Sequence, residues 1–386
     1  MKRRGNGDGN ITKRADGRWM ARVTIRGESR CVYGTTRQEA ARKMQDAIRD
    51  LERGITTPKN DRLTVGAYLD SWLIIKKPEM EYSAWVRYEQ YTRLHIKPIL
   101  GRVPLLKLNA QQLSALYSRK LEDGLAANTV RHLHACLHAA LEDAVVHDQV
   151  VRNVADLVRP PRAPHLEMQT YTPEQANALL DAAQGDRLEA MYVLMLTSAC
   201  RLGELLGLRW AALDLERAEM QVTVALKDVS SRRSLGRPKT AHSRRTIPLT
   251  PRAVAALKHH RIEQMKERQA HGPDWNREQL VFVTTTGNPY ARTNWRAQHY
   301  VRIIERAQLP YIRPHDLRHT AATLLLLEGV QPLVVSEMLG HASVAFTLAT
   351  YGHVQAGMRK QARDAMERLF DRIPGKSVSE TVSNDL

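Results

Sequence analysis

The sequence predicts a mainly α-helical chain with small β-sheets, an α+β protein of three units. Three observations carry that expectation. A period-two, arginine-rich run occupies residues 18–26, helical stripes fill residues 64–158, and the proline-rich "RPPRAPHLEM" at 159–168 separates those stripes from a segment where helices outnumber strands. A length of 386 residues fits two or three domains.

The first unit covers residues 1–56 and holds 14 Lys and Arg against 7 Asp and Glu. "GNITKR", "RWMARVTIR" and "SRCVYG" read as strands parted by the turn signals Ala15-Asp16-Gly17 and Gly27-Glu28. Trp19, Ala21, Val23 and Ile25 alternate with Arg18, Met20, Arg22, Thr24 and Arg26. Period two sends the first set to a core and lines the other face with three arginines and no carboxylate. A helix follows, opened by the capping box Thr36-x-x-Glu39, with Ala40, Met44, Ala47, Ile48 and Leu51 as its apolar stripe. A basic three-stranded sheet backed by one helix can lay its strands in a DNA major groove, so Arg18, Arg22 and Arg26 are candidate DNA contacts. The plainer alternative is a solvated arginine face.

"GITTPKNDR" at 54–62 reads as a linker, and residues 63–160 as a bundle of four or five helices. Its stripes are Val65, Tyr68, Leu69, Trp72 and Leu73, then Leu113, Leu116, Tyr117 and Leu121, then Val130, Leu133, Leu137, Leu141 and Ala144. Pro98 and Gly101 interrupt between helices, and Asn109 is an expected N-cap. His134 and His138 stand at i, i+4, a zinc-like spacing, but without a further ligand cluster they read as a polar helix face.

The third unit spans 168–386. It opens on Thr172-Pro173-Glu174-Gln175, a capping box with proline at the first helical position. "MQVTVAL" and "RRTIPL" alternate like strands around a polar, basic hairpin, and "GKSVSETVSNDL" reads as a mobile tail.

Composition narrows the partners. The chain has 58 Lys and Arg against 41 Asp and Glu, a net charge of +17, which favours a polyanion through counterion release. No stretch approaches the apolar length of a membrane span, and the charged start lacks the apolar run of a secretory signal; RNA, DNA and an anionic membrane all fit the charge, and the partner expected from the whole reading is DNA and no membrane. Three scattered cysteines, Cys31, Cys136 and Cys200, suit a reducing cytoplasm better than a disulfide framework.

Five pieces of the third unit then matter together. "TSACRLGELLGLRW" places Arg201 and Glu204 at the start of an apolar helix, and "RPKTAHSRRTIPL" puts Lys239 on the hairpin. "RPHDLRHTAATLLLLEGV" sets His315 and Arg318 one helical turn apart, "SEMLGHASV" supplies His341 after a Leu-Gly turn, and "TLATYGHV" supplies Tyr351. Each alone has a bland reading as surface charge or packing. In this order they resemble the signature of the tyrosine recombinases, the phage-integrase family, whose sequence of roles is Arg, Lys, His-x-x-Arg, His or Trp, Tyr. The resemblance covers nearly the whole chain in its lambda-integrase-like form. Residues 64 onward resemble the family's helical core-type DNA-binding domain, and residues 1–56 the amino-terminal arm-type DNA-binding domain. Where the family commonly has Thr-Gly-x-Arg, this chain has Ser198-Ala199-Cys200-Arg201, a change in the packing of the turn that keeps the arginine. The basic insertion "SSRRSLGR" before Lys239 leaves Lys227 as an alternative lysine.

The resemblance implies a site-specific recombinase that cuts and rejoins DNA through a 3′-phosphotyrosyl intermediate and integrates or excises a mobile element such as a prophage. A phenol of pKa about 10 is a poor nucleophile at neutral pH and needs a base and a charge-stabilising cradle. Arg201 and Arg318 would hold the non-bridging oxygens, His315 would act as acid or base, His341 would donate to the phosphate, Lys239 would protonate the leaving 5′-oxygen, and Glu204 would support the arginines. The carboxylate clusters of two-metal nucleases are missing from the pattern, so neither metal nor cofactor is expected. The implied partners are double-stranded DNA at core and arm attachment sites, a homotetramer on that DNA coupled through the helix and tail beyond Tyr351, and accessory bending or excision factors, all in the cytoplasm of a bacterial host. A type IB topoisomerase uses the same chemistry and a non-catalytic regulator could keep the fold. Relaxation of supercoiled DNA without a cognate site would favour the first, and covalent DNA capture argues against the second.

Overall fold

In the computed structural model, residues 9–25, 28–52, 62–164, 168–230, 232–236, 244–341, 343–351, 363–364, 366–367 and 370 are described. The chain divides into two units, Met1–His165 and Leu166–Leu386, the first of which holds both the arginine-rich sheet and the helical bundle.

In the first unit the alternation read from residues 18–26 forms strand β2 (Trp19–Ile25), flanked antiparallel by β1 (Asn10–Lys13) and β3 (Glu28–Gly34). Ala21 and Val23 are buried, while Arg18, Arg22 and Thr24 are exposed. Val23, Ile25 and Val32 pack on Met44, Ala47 and Ile48 of helix α1 (Arg37–Glu52). Its cap differs slightly from the expected box. Thr36 Oγ1 accepts the Glu39 amide at 3.1 Å, but the Glu39 carboxylate reaches back to the amide of Thr35, at 2.8 Å, one residue earlier. Arg26 lies outside the described residues.

The bundle is built from α2 (Val65–Lys76), α3 (Tyr82–Tyr91), α4 (Lys97–Leu100), α5 (Ala110–Glu122) and α6 (Ala127–Val146). The three stripes meet in one core that includes Leu69, Leu113, Leu116, Leu133 and Leu137, except that Leu121, at the end of the second stripe, is exposed near the C-terminus of α5. The Tyr68 hydroxyl donates to the carbonyl of Ala140 at 2.6 Å and the Trp72 indole to Asp143 at 2.7 Å, tying α2 to α6 across 71 or more residues. Asn109 caps α5 with a complete capping box, as its sequence predicts. Pro98 does not separate two helices. It lies two residues past a π-turn at Thr92–Ile96 through which α3 runs into α4 without a break, and that widened turn accommodates a residue lacking an N–H.

The second unit continues with α7 (Pro173–Ala182), α8 (Glu189–Thr197) and α9 (Leu202–Leu206), followed by strands β4 (Leu213–Asp214), β5 (Glu219–Val222), β6 (Ala225–Val229), β7 (Arg232–Gly236) and β8 (Arg245–Pro248). Then come α10 (Pro251–His271), α11 (Arg292–Trp295), α12 (Val301–Arg306), α13 (Pro314–Leu327), α14 (Pro332–Leu339) and α15 (Val344–Tyr351). The run "MQVTVAL" is not one strand. Its first half, β5, pairs with β4 and β8, and Met220 faces Ile247 in a fully buried pair. Its second half pairs with β7 as a separate two-stranded hairpin that turns at Ser230, whose φ is +49°. Helix α8 is buried along Ala190–Leu196 at the centre of a core that gathers Leu179, Ile247, Leu257, Phe282, Trp295 and Leu317. Among the described residues no single helix is long and apolar enough to cross a membrane.

Candidate active site

Helix α13 organises the site. Pro314 occupies its first turn, and Arg313 and Asp316 close a capping box around its start. The helix then presents His315, Arg318 and His319. Arg318 is 2% exposed. Its Nη1 donates to the carbonyl of Ala199 at 2.8 Å and its Nη2 to the carbonyl of Leu339. One guanidinium thus ties three segments: the turn after α8, helix α13, and the end of α14. Two of its five N–H donors are spent on backbone, leaving three for a ligand. Burial and the neighbouring Arg201 push it down to about 10, so it stays charged at neutral pH.

The turn after α8 sets Arg201. Ser198 Oγ donates to the Leu194 carbonyl at 2.6 Å, ending the helix. Ala199 follows with φ +51°, in the left-handed region, and is fully buried. This is the position where the resembled family commonly has glycine, and an alanine there carries about 1–2 kcal/mol of backbone strain. The left-handed residue aims its carbonyl at Arg318 and delivers Arg201 to the start of α9. Arg201 donates through Nη1 to Glu204 at 2.9 Å and through its amide to the same carboxylate at 3.0 Å.

Glu204 is 4% exposed and lies between two arginines. Arg245 of β8 donates to its Oε2 at 2.9 Å and through Nε to the Met338 carbonyl at 2.5 Å. Burial alone would raise the Glu204 carboxyl, but the hydrogen bond and charge of Arg245 hold it below the usual carboxylate range. Arg245 is not among the residues that the motif singles out. The available signal was alternation: Arg245 shares the inward face of β8 with buried Ile247, and an inward arginine needs a carboxylate.

Gly340 ends α14 in the left-handed conformation, with φ +62°, and turns the chain toward His341. The His341 Nδ1 lies 2.8 Å from Thr347 Oγ1, which orients the ring from α15. His315 and His341 are each pushed down to about 4, by burial first and then by nearby His319 and Arg318 for His315, and by Arg318 and Arg201 for His341. Both are therefore neutral at neutral pH.

Tyr351, the last residue of α15, is 1% exposed and packs with Ala199, Ala321, Ala322, Leu326, Val335 and Leu339. Burial pushes its phenol up to about 12. Its hydroxyl lies 2.6 Å from Nδ1 of His319, a residue the sequence reading did not select. The signal for it was present in "HDLRHT", where His319 stands at i+4 from His315, and the two rings lie 5.0 Å apart in an edge-on contact.

The structure thus draws Arg201, Glu204, His315, Arg318, His341 and Tyr351 around one helix. Lys239 lies outside the described residues, and the alternative Lys227 sits on β6 opposite Ser234. Arg22 lies on β2 in the first unit, and Arg18 immediately precedes that strand. The His134–His138 pair has company the sequence reading did not foresee. His134 Nδ1 bonds the Tyr117 hydroxyl at 3.0 Å, and His138, Glu142 and Asp156 bring ligand-type atoms within 4.8 Å of one another. The turn Val154–Leu157 carries Asp156 to His138, where they form an ion pair at 2.8 Å if the imidazole is protonated, while Asn153 donates to Glu142 at 3.0 Å.

Comparison with known proteins converges on one family. Residues 169–358 match the phage integrase family, and residues 64–121 match the phage integrase N-terminal SAM-like domain. A tyrosine recombinase XerC-like protein of Caldanaerobacter subterraneus subsp. tengcongensis is 29% identical, over 88% of this chain and 90% of that one. An integrase of Streptomyces ambofaciens is 28% identical, over 97% of this chain and its entire length (100%). Among solved structures, the Tn1549 transposon integrase in complex with a circular intermediate DNA has a TM-score of 0.67 at 22% identity, covering 80% of this chain and 99% of that one. A lambda integrase tetramer bound to a Holliday junction has a TM-score of 0.56 at 17% identity, covering 86% and 96%. At these identities the solved structures speak for the fold.

Proposed function

We propose that in this chain, which belongs to the phage integrase family and is a tyrosine recombinase that breaks and rejoins DNA strands, Tyr351 is the nucleophile and Arg201, His315, Arg318 and His341 serve it. The observation that carries this reading is the placement of Arg318, whose two carbonyl partners join the Arg201 turn to the His341 turn while Tyr351 packs in the same small core.

The chemistry follows from what a phosphodiester demands. Attack by the Tyr351 oxygen builds negative charge on the non-bridging oxygens. Arg201 and the spare donors of Arg318 meet that charge with fixed guanidinium forks, and a neutral His341 adds one N–H. Glu204, gripped by Arg245, holds Arg201 in place. The 5′-oxygen leaves with a proton from Lys239 or Lys227, a task suited to an ammonium on a flexible four-carbon stem. The product is a 3′-phosphotyrosyl link, whose retained bond energy lets a second strand be joined without ATP.

Three further assignments are part of the proposal. The segment of residues 1–56 is an arm-site binder that uses Arg18, Arg22 and Arg26, the bundle of residues 63–160 reads the core site, and residues 168–386 form the catalytic unit. The working assembly is a homotetramer on two duplexes, in support of which the lambda integrase of similar fold was solved as a tetramer on a Holliday junction. The setting is the cytoplasm of a bacterial host, where a mobile element integrates and excises. The deciding experiment uses a suicide duplex made from the DNA that flanks the gene. Wild type should become covalently linked to it, and Tyr351→Phe should bind with unchanged affinity and form no adduct. An adduct with the phenylalanine variant would remove Tyr351 from its role.

A further inference from the structure

We infer that His319 is a further catalytic residue, the base whose Nδ1 takes the phenolic proton of Tyr351 as the nucleophile attacks. The inference rests on the reading of Tyr351 as nucleophile and adds the destination of its proton.

The geometry is direct. His319 Nδ1 lies 2.6 Å from the Tyr351 hydroxyl, and the two rings are 5.7 Å apart between centroids. Tyr351 is 1% exposed, so bulk water does not surround its hydroxyl, and its proton needs a protein acceptor. The hydrogen bond to the phenol is made by His319, one turn on from His315, the histidine that the family-like motif singles out. Helix α13 thereby divides the work of two imidazoles: His315 remains for the phosphate side, beside Arg201 and Arg318, and His319 faces the nucleophile.

The groups around His319 favour a neutral, accepting ring. On its own helix stand His315, Asp316 and Arg318, with Arg313 at the helix start, while His341 comes from the turn after α14 and Tyr351 from α15. Helix α8, which also packs against α13, is buried along its apolar length. Burial lowers the imidazole below its ordinary range, Asp316 opposes this, and Arg318 and Arg313 add to it. A neutral ring with its proton on Nε2 can accept at Nδ1.

The step balances. The Tyr351 O–H bond breaks and an Nδ1–H bond forms as the phenolic oxygen bonds to phosphorus. The bond from phosphorus to the 5′-oxygen breaks, and that oxygen takes its proton from the lysine acid. In rejoining, a 5′-hydroxyl attacks, gives its proton back to the lysine, and the departing phenolate recovers its proton from Nδ1.

The test uses the full chain in single-turnover capture on the suicide duplex from acidic to mildly basic pH. Wild type should show a rate that rises with pH and levels off once His319 is neutral. His319→Phe should lose about 100-fold or more and keep rising with pH without levelling, since hydroxide must then do the work. His319→Asn places an amide oxygen near the position of Nδ1, so it can keep the tyrosine aligned but cannot take the proton. It should bind DNA as wild type does and cleave as poorly as the phenylalanine variant. Wild-type cleavage by either variant overturns the proposal, and full rescue by asparagine alone reduces His319 to a positioning residue. A measurement free of folding loss at position 319 compares ¹⁵N-histidine spectra of wild type and Tyr351→Phe. One imidazole Nδ1 resonance should shift when the phenol is removed, and unchanged spectra overturn the contact. The nucleophile reading fails separately, through an adduct formed by Tyr351→Phe.

Discussion

Glu204 shows how much a single side chain holds in this site. It is a carboxylate buried between Arg245, itself buried, and the half-exposed Arg201. Removing it leaves Arg245 a buried charge without its counterion, which typically costs about 3–5 kcal/mol. Glu204→Ala should therefore lower the unfolding free energy read from urea denaturation by that much and slow covalent capture through a loosened Arg201. A stability loss no larger than that of a surface ion pair, about 1 kcal/mol or less, would show that the network is dispensable. The imidazoles give a second prediction. His315 and His341 titrate at about 4 in the folded chain against 6.5 for the free group, so between those values the unfolded chain binds more protons. Stability is full above 6.5 and drains as pH falls toward 4, and the urea midpoint should drop across that window. A phosphate beside these rings favours their charged form, so DNA binding in the same window should take up protons. Calorimetry in buffers of different ionisation enthalpy reads that uptake, and a heat independent of buffer would contradict it.

At the scale of elements, the caps were legible because they are local chemistry. Thr172 accepts the Gln175 amide at 3.3 Å and Gln175 returns a bond to the Thr172 amide at 3.0 Å, as the spacing of the four residues predicts. Thr172→Ala should cost about 1 kcal/mol in unfolding free energy and leave the capture rate at saturating DNA unchanged. A loss in rate would mean that α7 does more than close the catalytic unit's core. Strand partners were less legible. "MQVTVAL" has one unbroken alternation, yet β5 and β6 join different sheets, because pairing depends on which neighbour the fold supplies and not on the strand's own pattern. Pro98 shows the same limit. A proline reads as a breaker, but here the helix runs on through it, the π-turn at Thr92–Ile96 just before it taking up the missing bond.

For the whole molecule, charge is the property that composition alone supplies. A net charge of +17 over 386 residues predicts DNA binding that weakens steeply with salt. Each phosphate neutralised contributes about 0.9 to the slope of log K against log salt, so six or more contacts give a slope of roughly −5 or steeper. A slope near −2, read from filter binding or fluorescence anisotropy across a salt series, would leave only about two phosphates neutralised, too few for a chain proposed to engage DNA with three units.

The sequence by itself determined the class of fold, the caps at Asn109 and Thr172, the inward alternation of β2, and the ordered set from Arg201 to Tyr351. Those features are carried by local periodicity, by side-chain bonds three or four residues apart, and by residue types that phosphate chemistry requires. Only the tertiary structure decided which groups touch. Arg318 spends two donors on carbonyls 119 and 21 residues away, Arg245 reaches Glu204 across 41 residues, and Tyr351 meets His319 across 32. No local pattern encodes those pairs. They arise because a buried guanidinium, carboxylate or phenol must find a partner wherever packing brings one. His319 could be written down from "HDLRHT", but its hydrogen bond to Tyr351 exists only once α15 folds back onto α13.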